Sequence, residues 1–395
     1  MSTTDHSTSP PVSGSPLRSR PFLALLVASA GMFFGFSLLV AVVPLWVVTR
    51  GSGELAAGAA TGVFMASTVL AQLAMPALVR RFGYRATAIA GAVFLGAPAP
   101  LLIVSTGWEP VLAISFARGI GFGFVTVCGS ALIAELLPRG MLGRGSGLYG
   151  LAVGIPLLVG LPASTWVAQH AGFAVVFLAG ATLPLLAILP LALLPATPAR
   201  RERPAGGAAG AARAVWRPWL VMLSGSLAFG ALVTFLPLVF VESAMVGSLA
   251  LLLVAATALG GRWLAGIYSD RVLGAGRLLV VGLLATVAGL AGLAIGAAGT
   301  TAAAMALGVT CVALYGAGFG AIQNEALVVM FGRVSAARAS VAWNIAFDAG
   351  QGAGAVAVGA VVAVTGYPVA FGLLAVLGLL LLPAAWPQRM RPVRS

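Results

Sequence analysis

Four charged side chains lie far inside long apolar stretches of the sequence. They are Arg118, Arg262, Glu325 and Asp348. On insertion scales, a charge that faces lipid at the centre of a bilayer costs about 2.5–3.5 kcal/mol. We therefore expect all four to face a partner, water or the interior of a helix bundle. Two are positive and two are negative, so they could neutralise one another, but the sequence leaves open which pairs form.

Asp348 is the residue whose position best suits proton transfer. It follows Arg338 by ten residues, which is about 15 Å along a helix and half of a hydrocarbon core of about 30 Å. Polar residues spaced four, four and three apart form one stripe on this helix: Ser340, Asn344, Asp348 and Gln351. A buried carboxyl group can take up or release a proton as the charge around it changes. Asp348 is therefore predicted to accept a proton, and the alternative is a static hydrogen bond between helices.

Glu325 is the second candidate for proton coupling. It precedes Arg333 by eight residues, about 12 Å along a helix. Gln323, Asn324 and Glu325 are each turned about 100° from the next, so all three cannot face one cavity. The polar and aromatic residues predicted to line a substrate cavity are Asn344, Gln351, Gln323, Asn324, Tyr315 and Trp343.

The composition indicates a membrane protein. Hydrophobic residues make up 60% of the 395 residues, charged residues 8%, and the mean hydropathy is +1.07. A water-soluble surface cannot be built from so few charges. With two His, two Cys and no Lys, the sequence has no metal cluster and no phosphate-binding P-loop. We expect neither an enzyme nor a cofactor, and we predict that Cys128 and Cys311 are buried structural thiols.

The apolar stretches have the length of membrane-spanning helices, about 20 residues or more. Twelve spans are predicted, at 22–48, 56–79, 86–106, 110–137, 145–168, 172–195, 217–241, 246–268, 278–298, 302–331, 339–365 and 367–386. The connections between them are short, which predicts an all-α membrane protein whose function lies within the bundle.

The arginines predict the orientation of the chain. All 22 basic residues are Arg, and the net charge is +13. If the N-terminus is cytoplasmic, nineteen of the 22 fall on the cytoplasmic side, as the positive-inside rule requires. Both termini are therefore predicted to be cytoplasmic. This asymmetry accounts for the charge without a nucleic-acid partner.

The chain divides into two similar halves. We predict a disordered N-terminus (1–20), a six-helix bundle (21–195), a cytoplasmic linker (196–216), a second bundle (217–386) and a cytoplasmic tail (387–395). Shifts of 193 to 197 residues superimpose short motifs of the halves; for example, GIGFG at 119–123 matches GAGFG at 316–320. Parallel repeats of this kind usually place the substrate site at their interface, near the bilayer midplane.

Over residues 21–386 the chain resembles the major facilitator superfamily. The family's loop signature, Gly-x-x-x-Asp-Arg-x-Gly-Arg-Arg, follows the second helix of each half. The second copy begins at Gly266 and contains Asp270 and Arg271. The resemblance implies that Asp270 and Arg271 form an inner gate. Arg262, about one turn before Gly266, could hold this gate closed or take part in coupling.

The first copy of the signature is less complete. It keeps Arg81, Gly83 and Arg85 but has Pro76 in place of the glycine and Arg80 in place of the acid. Arg80 cannot act as the acid does, so a symmetric gate is not expected. The alternative for both loops is that their arginines only set the topology.

Two further resemblances concern coupling and direction. Arg118 resembles the family's helix 4 arginine, which is associated with proton coupling, and this implies that Arg118 tunes Asp348. Residues 150–160, with Gly150, Gly154 and Pro156, resemble the helix 5 signature of antiporters, although Ile155 separates the glycine from the proline. The alternative for these glycines is close helix packing.

The sequence therefore predicts a bacterial secondary active transporter of the drug/proton antiporter type, a multi-pass monomer in the cell inner membrane. Its predicted partners are a small amphipathic molecule, protons and the lipid bilayer. An uptake symporter or uniporter for a sugar or organic acid is the first alternative. A non-transporting receptor or scaffold on the same fold is the second.

Overall fold

The computed structural model describes residues 16–138, 142–196, 208–241, 243–268, 276–299, 301–334 and 336–386. After a short 3-10 turn (Pro16–Arg18), the helices are α1 (Arg20–Thr49), α2 (Gly53–Gly96), α3 (Leu101–Val104), α4 (Trp108–Leu136), α5 (Leu142–Ala171), α6 (Phe173–Leu186), α7 (Ile188–Ala192), α8 (Ala208–Val239), α9 (Ala244–Tyr268), α10 (Leu278–Ala297), α11 (Ala302–Phe331), α12 (Ala336–Thr365), α13 (Tyr367–Leu380) and α14 (Leu382–Ala385). Within these ranges the regular secondary structure is entirely helical.

The helices confirm the predicted all-α fold with twelve spans. Eleven stretches within the described ranges are long and apolar enough to cross a membrane, and the twelfth predicted span corresponds to the shorter apolar helix Tyr367–Leu380. Helices α1 to α7 form the first half of the molecule, and α8 to α14 form the second. We call the side where α1 and α8 begin the linker end, and the other side the opposite end.

Two helix boundaries differ from the predicted ones. The second and third spans form one element, α2, which bends at Gly83; this residue has φ +77°, a backbone conformation that glycine adopts without steric cost. The seventh span begins at Ala208 rather than at residue 217. Its first turns are rich in alanine, the strongest helix former, so the last part of the predicted linker is helical. Residues 197–207 of that linker lie outside the described ranges.

Glycines bring α2 and α12 into close contact across the interface between the halves. A side chain at Gly58 would collide with the carbonyl of Ala355, and one at Gly359 would lie 2.7 Å from the carbonyl of Glu54. Small residues at a membrane helix interface let two backbones approach closely. The two helices therefore touch along most of the membrane thickness.

Short polar side chains also join the halves. The hydroxyls of Thr61 on α2 and Thr234 on α8 lie 3.2 Å apart, and those of Thr165 on α5 and Ser248 on α9 lie 2.9 Å apart. All four residues are buried. Each pair lets two hydroxyls form a hydrogen bond between the halves in an apolar interior.

The apolar core is shared between the halves at one end only. At the opposite end, one continuous cluster joins residues 38–47 of α1 with residues 232–240 of α8 and the loop after it. At the linker end, the first half has a separate cluster that includes Phe22, Met75 and Leu194. The halves are thus packed as one body at the opposite end, whereas the linker end of the first half packs on its own.

We expect Gly58→Val to destabilise the contact between α2 and α12. The added side chain has no room beside the Ala355 carbonyl, and overpacking of this kind costs about 1–3 kcal/mol. The matched control is Gly260→Val, because a Cβ at Gly260 meets no atom within 4 Å. Thermal unfolding in detergent should give a lower Tm for Gly58→Val than for Gly260→Val, and equal values would contradict the close contact.

Candidate functional site

Asp348 lies at the interface between the two halves. Its side chain is only 3% exposed, and its Oδ2 accepts a hydrogen bond of 2.6 Å from Nε2 of Gln72. Gln72 lies on α2 in the first half, and Asp348 lies on α12 in the second. A buried carboxylate of the second half is therefore bound to an amide of the first.

The packing of α12 on α8 sets the direction in which Asp348 points. Backbone carbonyls of α8 leave no room for a side chain at Gly350 and Gly354 of α12. Ser226 of α8 also donates a hydrogen bond to the carbonyl of Phe347. These contacts fix the rotation of α12, so that Asp348 faces α2.

Gln72 was not among the predicted site residues. Its Nε2 also lies 3.3 Å from Oγ1 of Thr126 on α4, so that one amide links Asp348 to two helices of the first half. Its Oε1 is buried and has no hydrogen-bond partner among the described residues. The sequence does contain a signal for Gln72, since it places a polar amide within the second apolar span. A search for charged residues alone does not detect it.

Arg118 is buried within the first half and does not pair with Asp348. Its Nε donates to the carbonyl of Leu95 at 3.1 Å, and its guanidinium carbon lies 5.5 Å from the centre of the Phe64 ring. Its Nη2 has no partner among the described residues. The sequence left open whether the four deep charges pair, and in the described structure no salt bridge joins any two of them.

A small cavity borders Arg118. Its volume is about 20 Å³, which is room for about one water molecule. The polar groups on its wall come from Thr61, Ser115 and Arg118, and aromatic rings of Phe36 and Phe64 close it. In this conformation the space beside Arg118 can hold a water molecule and is too small for an organic molecule.

Glu325 binds the backbone of a loop. It is fully buried, and its Oε2 accepts a 2.6 Å hydrogen bond from the backbone N–H of Gly276, just before α10. Its Oε1 has no partner in the described part of the chain. Gly276 has φ +92°, a conformation that favours glycine. The geometry gives Glu325 a role in holding this loop against α11.

Two of the predicted cavity residues form hydrogen bonds between helices, and two of the other four are buried. Tyr315 donates to the carbonyl of Gly225 at 2.6 Å, and Trp343 donates to the carbonyl of Gln323 at 3.0 Å, so both join helices within the second half. Gln323 and Gln351 are buried, as is Nδ2 of Asn324, whereas Asn344 is only partly buried.

Arg262 lies beside a row of aromatic rings in the second half. The Arg262 guanidinium lies 5.5 Å from the centre of the Trp343 ring, and its side chain is exposed. Trp343 stacks on Phe347 at 5.5 Å, and Phe347 stacks on Phe319 at 6.1 Å. Trp343 and Phe347 are partly exposed, whereas Phe319 is fully buried. The two partly exposed rings can bind the flat apolar part of a molecule.

Only part of the predicted gate motif lies within the described ranges. Arg85 donates to the carbonyl of Leu194 at 3.1 Å, and Gly83 forms the bend of α2. The guanidinium of Arg81 lies 5.2 Å from the Phe82 ring. Gly266 is near the end of α9, whereas Asp270 and Arg271 lie outside the described residues.

The sequence from residue 23 to residue 341 matches the family model described as Major Facilitator Superfamily. The chain belongs to the Major Facilitator Superfamily. The match covers well over half of the chain, and it confirms the family that the loop signatures indicated. No curated protein matches the sequence significantly.

Solved structures of transporters share the fold. The nucleoside transporter NupG has a TM-score of 0.71 at 14% identity, over 92% of this chain and 98% of that one. A D-xylose-proton symporter has a TM-score of 0.72 at 18% identity, over 94% and 98%. A bacterial homologue of the human lysosomal transporter Spinster, inward-facing and occupied, has 0.68 at 17%, over 94% and 96%. Family and fold make this chain a multi-pass membrane protein with the fold of the Major Facilitator Superfamily.

We expect Gln72→Leu to destabilise the protein, because it leaves Asp348 buried without its donor. Loss of one partner of a buried hydrogen bond costs about 1–3 kcal/mol. Asp348→Asn should be tolerated, since an amide can still accept from Gln72. The measurement is Tm in detergent for Gln72→Leu, Asp348→Asn, Asp348→Leu and the double variant Gln72→Leu/Asp348→Leu.

The double variant removes both polar partners. Its decrease in Tm should therefore be smaller than the sum of the decreases from Gln72→Leu and Asp348→Leu. Strictly additive decreases in Tm would show that the two side chains do not interact.

Variants of Glu325 should show whether its hydrogen bond to Gly276 stabilises the fold. Glu325→Gln keeps an acceptor for the Gly276 N–H, whereas Glu325→Ala leaves that N–H unpaired, at a cost of about 1–3 kcal/mol. We expect only Glu325→Ala to lower Tm. The control is Glu135→Ala, which removes a less buried carboxylate. If Glu325→Gln lowers Tm as much as Glu325→Ala, the hydrogen bond is not the reason for the burial of Glu325.

Proposed function

We propose that this protein is a proton-coupled transporter that exports a small amphipathic molecule by alternating access, with Asp348 as the proton acceptor. The observation that carries the proposal is the hydrogen bond between Asp348 and Gln72. It joins a buried carboxyl group of one half to the other half, and the two halves must move relative to each other during alternating access.

The Asp348–Gln72 pair can accommodate both protonation states of the carboxyl group. The ionised carboxylate accepts a hydrogen bond from Gln72 Nε2. A protonated carboxyl has an O–H to donate, and the buried Oε1 of Gln72 has no other partner in the described structure. A proton can therefore bind at Asp348 without leaving a buried polar group unsatisfied.

The surroundings of the pair support an amphipathic substrate. The second half presents the partly exposed, stacked rings of Trp343 and Phe347 together with the exposed cation of Arg262. A ligand that stacks on these rings buries apolar surface, and its polar part can remain hydrated beside Arg262.

The direction of transport rests on the resemblance of α5 to antiporters. The glycines of this helix also serve packing: a side chain at Gly160 would collide with Ser37 of α1, whose hydroxyl donates to the carbonyl of Pro156 at 3.0 Å. Because packing alone could account for these glycines, the assay has to report direction as well as coupling.

The test is a pH-dye assay in vesicles that contain the purified protein and an acidic interior. A panel of aromatic amphipathic compounds is added outside, to vesicles with wild type, Asp348→Asn or Glu135→Gln. An antiporter releases protons as it takes the compound in, so the dye signal should recover with wild type and Glu135→Gln. With Asp348→Asn, recovery should fall to the level of vesicles without protein.

The other outcomes are distinct. Further acidification on addition of a compound would indicate symport and overturn the direction. Equal recovery with wild type and Asp348→Asn would remove Asp348 as the proton acceptor. The absence of any response to the panel, with protein that is folded by Tm, would count against proton-coupled export of such compounds.

A further inference from the structure

Arg118 places a positive charge near the middle of the membrane without a negative partner among the described residues. It lies ten residues into α4, which begins at Trp108; this is about 15 Å along the helix, half of a hydrocarbon core of about 30 Å. The side chain is 2% exposed. Its partners are the Leu95 carbonyl and the Phe64 ring, and neither carries a net charge. An isolated charge in an apolar interior is costly, so a counter-ion at Arg118 would stabilise the fold.

Most of the hydrogen-bonding capacity of Arg118 is unused. A guanidinium has five N–H donors and stays protonated in proteins. Among the described residues, only the Nε–H of Arg118 has a hydrogen-bond acceptor, and Nη2 is buried without one. The donors on the two Nη atoms are therefore left for a ligand that accepts hydrogen bonds.

The cavity beside Arg118 has the donors and the size for one small anion. Ser115 precedes Arg118 by three residues, so both lie on one face of α4, and both border the cavity together with Thr61 of α2. The volume of about 20 Å³ is room for a halide ion, which is similar in size to a water molecule. The described residues on the wall include no carboxylate, so the cavity does not suit a cation.

Thr61 connects this cavity to the second half. Its hydroxyl lies 3.2 Å from that of Thr234 on α8, and either hydroxyl can be the donor. An anion accepts hydrogen bonds, so it favours the arrangement in which Thr61 donates to the anion and accepts from Thr234. A bound anion would thus strengthen a contact between the halves in this conformation.

We propose that this cavity binds one halide ion such as chloride, held by Arg118, Ser115 and Thr61. A halide neutralises the single positive charge of Arg118 and can accept hydrogen bonds from all three side chains. Larger oxyanions such as sulfate exceed the space in this conformation. The proposal does not depend on the proton coupling proposed above, because it concerns a different charge in a different part of the bundle.

The experiment measures the binding of radioactive chloride to the purified full-length protein by a scintillation proximity assay. Arg118→Gln removes the charge, and Ser115→Ala removes one donor and keeps the charge. The control is Arg50→Gln, because Arg50 also lies over an aromatic ring, at 4.1 Å from Trp46, but does not border the cavity. The Tm of each protein is measured in sodium chloride and in sodium gluconate of equal ionic strength.

Wild type and Arg50→Gln should bind about one chloride per protein molecule, with competition by bromide and none by sulfate. A hydrogen bond to a charged group contributes about tenfold or more in affinity. Ser115→Ala should therefore bind chloride about tenfold more weakly, and Arg118→Gln should show no saturable binding. Because the anion binds the folded state, chloride should raise the Tm of wild type above its value in gluconate. Arg118→Gln should have the same Tm in both salts.

Three results would overturn the proposal. The first is the absence of saturable chloride binding to wild type that is folded by Tm, which would leave only water in the cavity. The second is full competition by sulfate. The third is chloride binding as tight as that of wild type in Arg118→Gln or, if that variant does not fold, in Ser115→Ala; this would place the anion elsewhere on the protein.

Discussion

The structure depends on a single requirement, that a carboxylate in an apolar interior must have a hydrogen-bond donor. Asp348 lies in the second half, and its donor, Gln72, lies in the first. The bond forms because α12 is held against α8 by Gly350 and Gly354 and against α2 by contacts such as that of Gly58 with Ala355. The tight packing of small residues therefore decides which polar groups meet.

The other deep charges follow the same rule with uncharged partners. Arg118 donates to the carbonyl of Leu95, and Glu325 accepts from the N–H of Gly276. The sequence suggested mutual neutralisation of four charges, but the backbone supplies the partners for two of them and an amide supplies the partner for Asp348. At a bend or helix end, backbone N–H and C=O groups can lack a partner within their own helix. The spacing of residues in the sequence does not show where those groups lie relative to a distant side chain.

The fold was predictable because the bilayer restricts it so strongly. Apolar stretches of fixed length and short loops were enough to locate the twelve spans, and the loop signatures near Gly83 and Gly266 indicated the family. The boundaries at Gly83 and Ala208 were less predictable, because they depend on a single backbone conformation and on the helix propensity of alanine. The sequence singles out Asp348 as a candidate site residue by its depth and its polar stripe. It does not single out Gln72, because the importance of Gln72 comes only from the contact between α2 and α12.

The position of Gln72 also determines how protonation at Asp348 can affect the helices. Its amide nitrogen serves both the carboxylate and Thr126 of α4, at 2.6 and 3.3 Å. If Asp348 takes up a proton, as proposed above, its O–H can donate to the free Oε1 of Gln72 while its other oxygen still accepts from Nε2. The link from α2 to α12 can therefore be kept in both protonation states. Because the same amide nitrogen lies beside Thr126, a shift of the amide would also reach α4. The amide thus connects the proposed proton site to the helix packing of the first half.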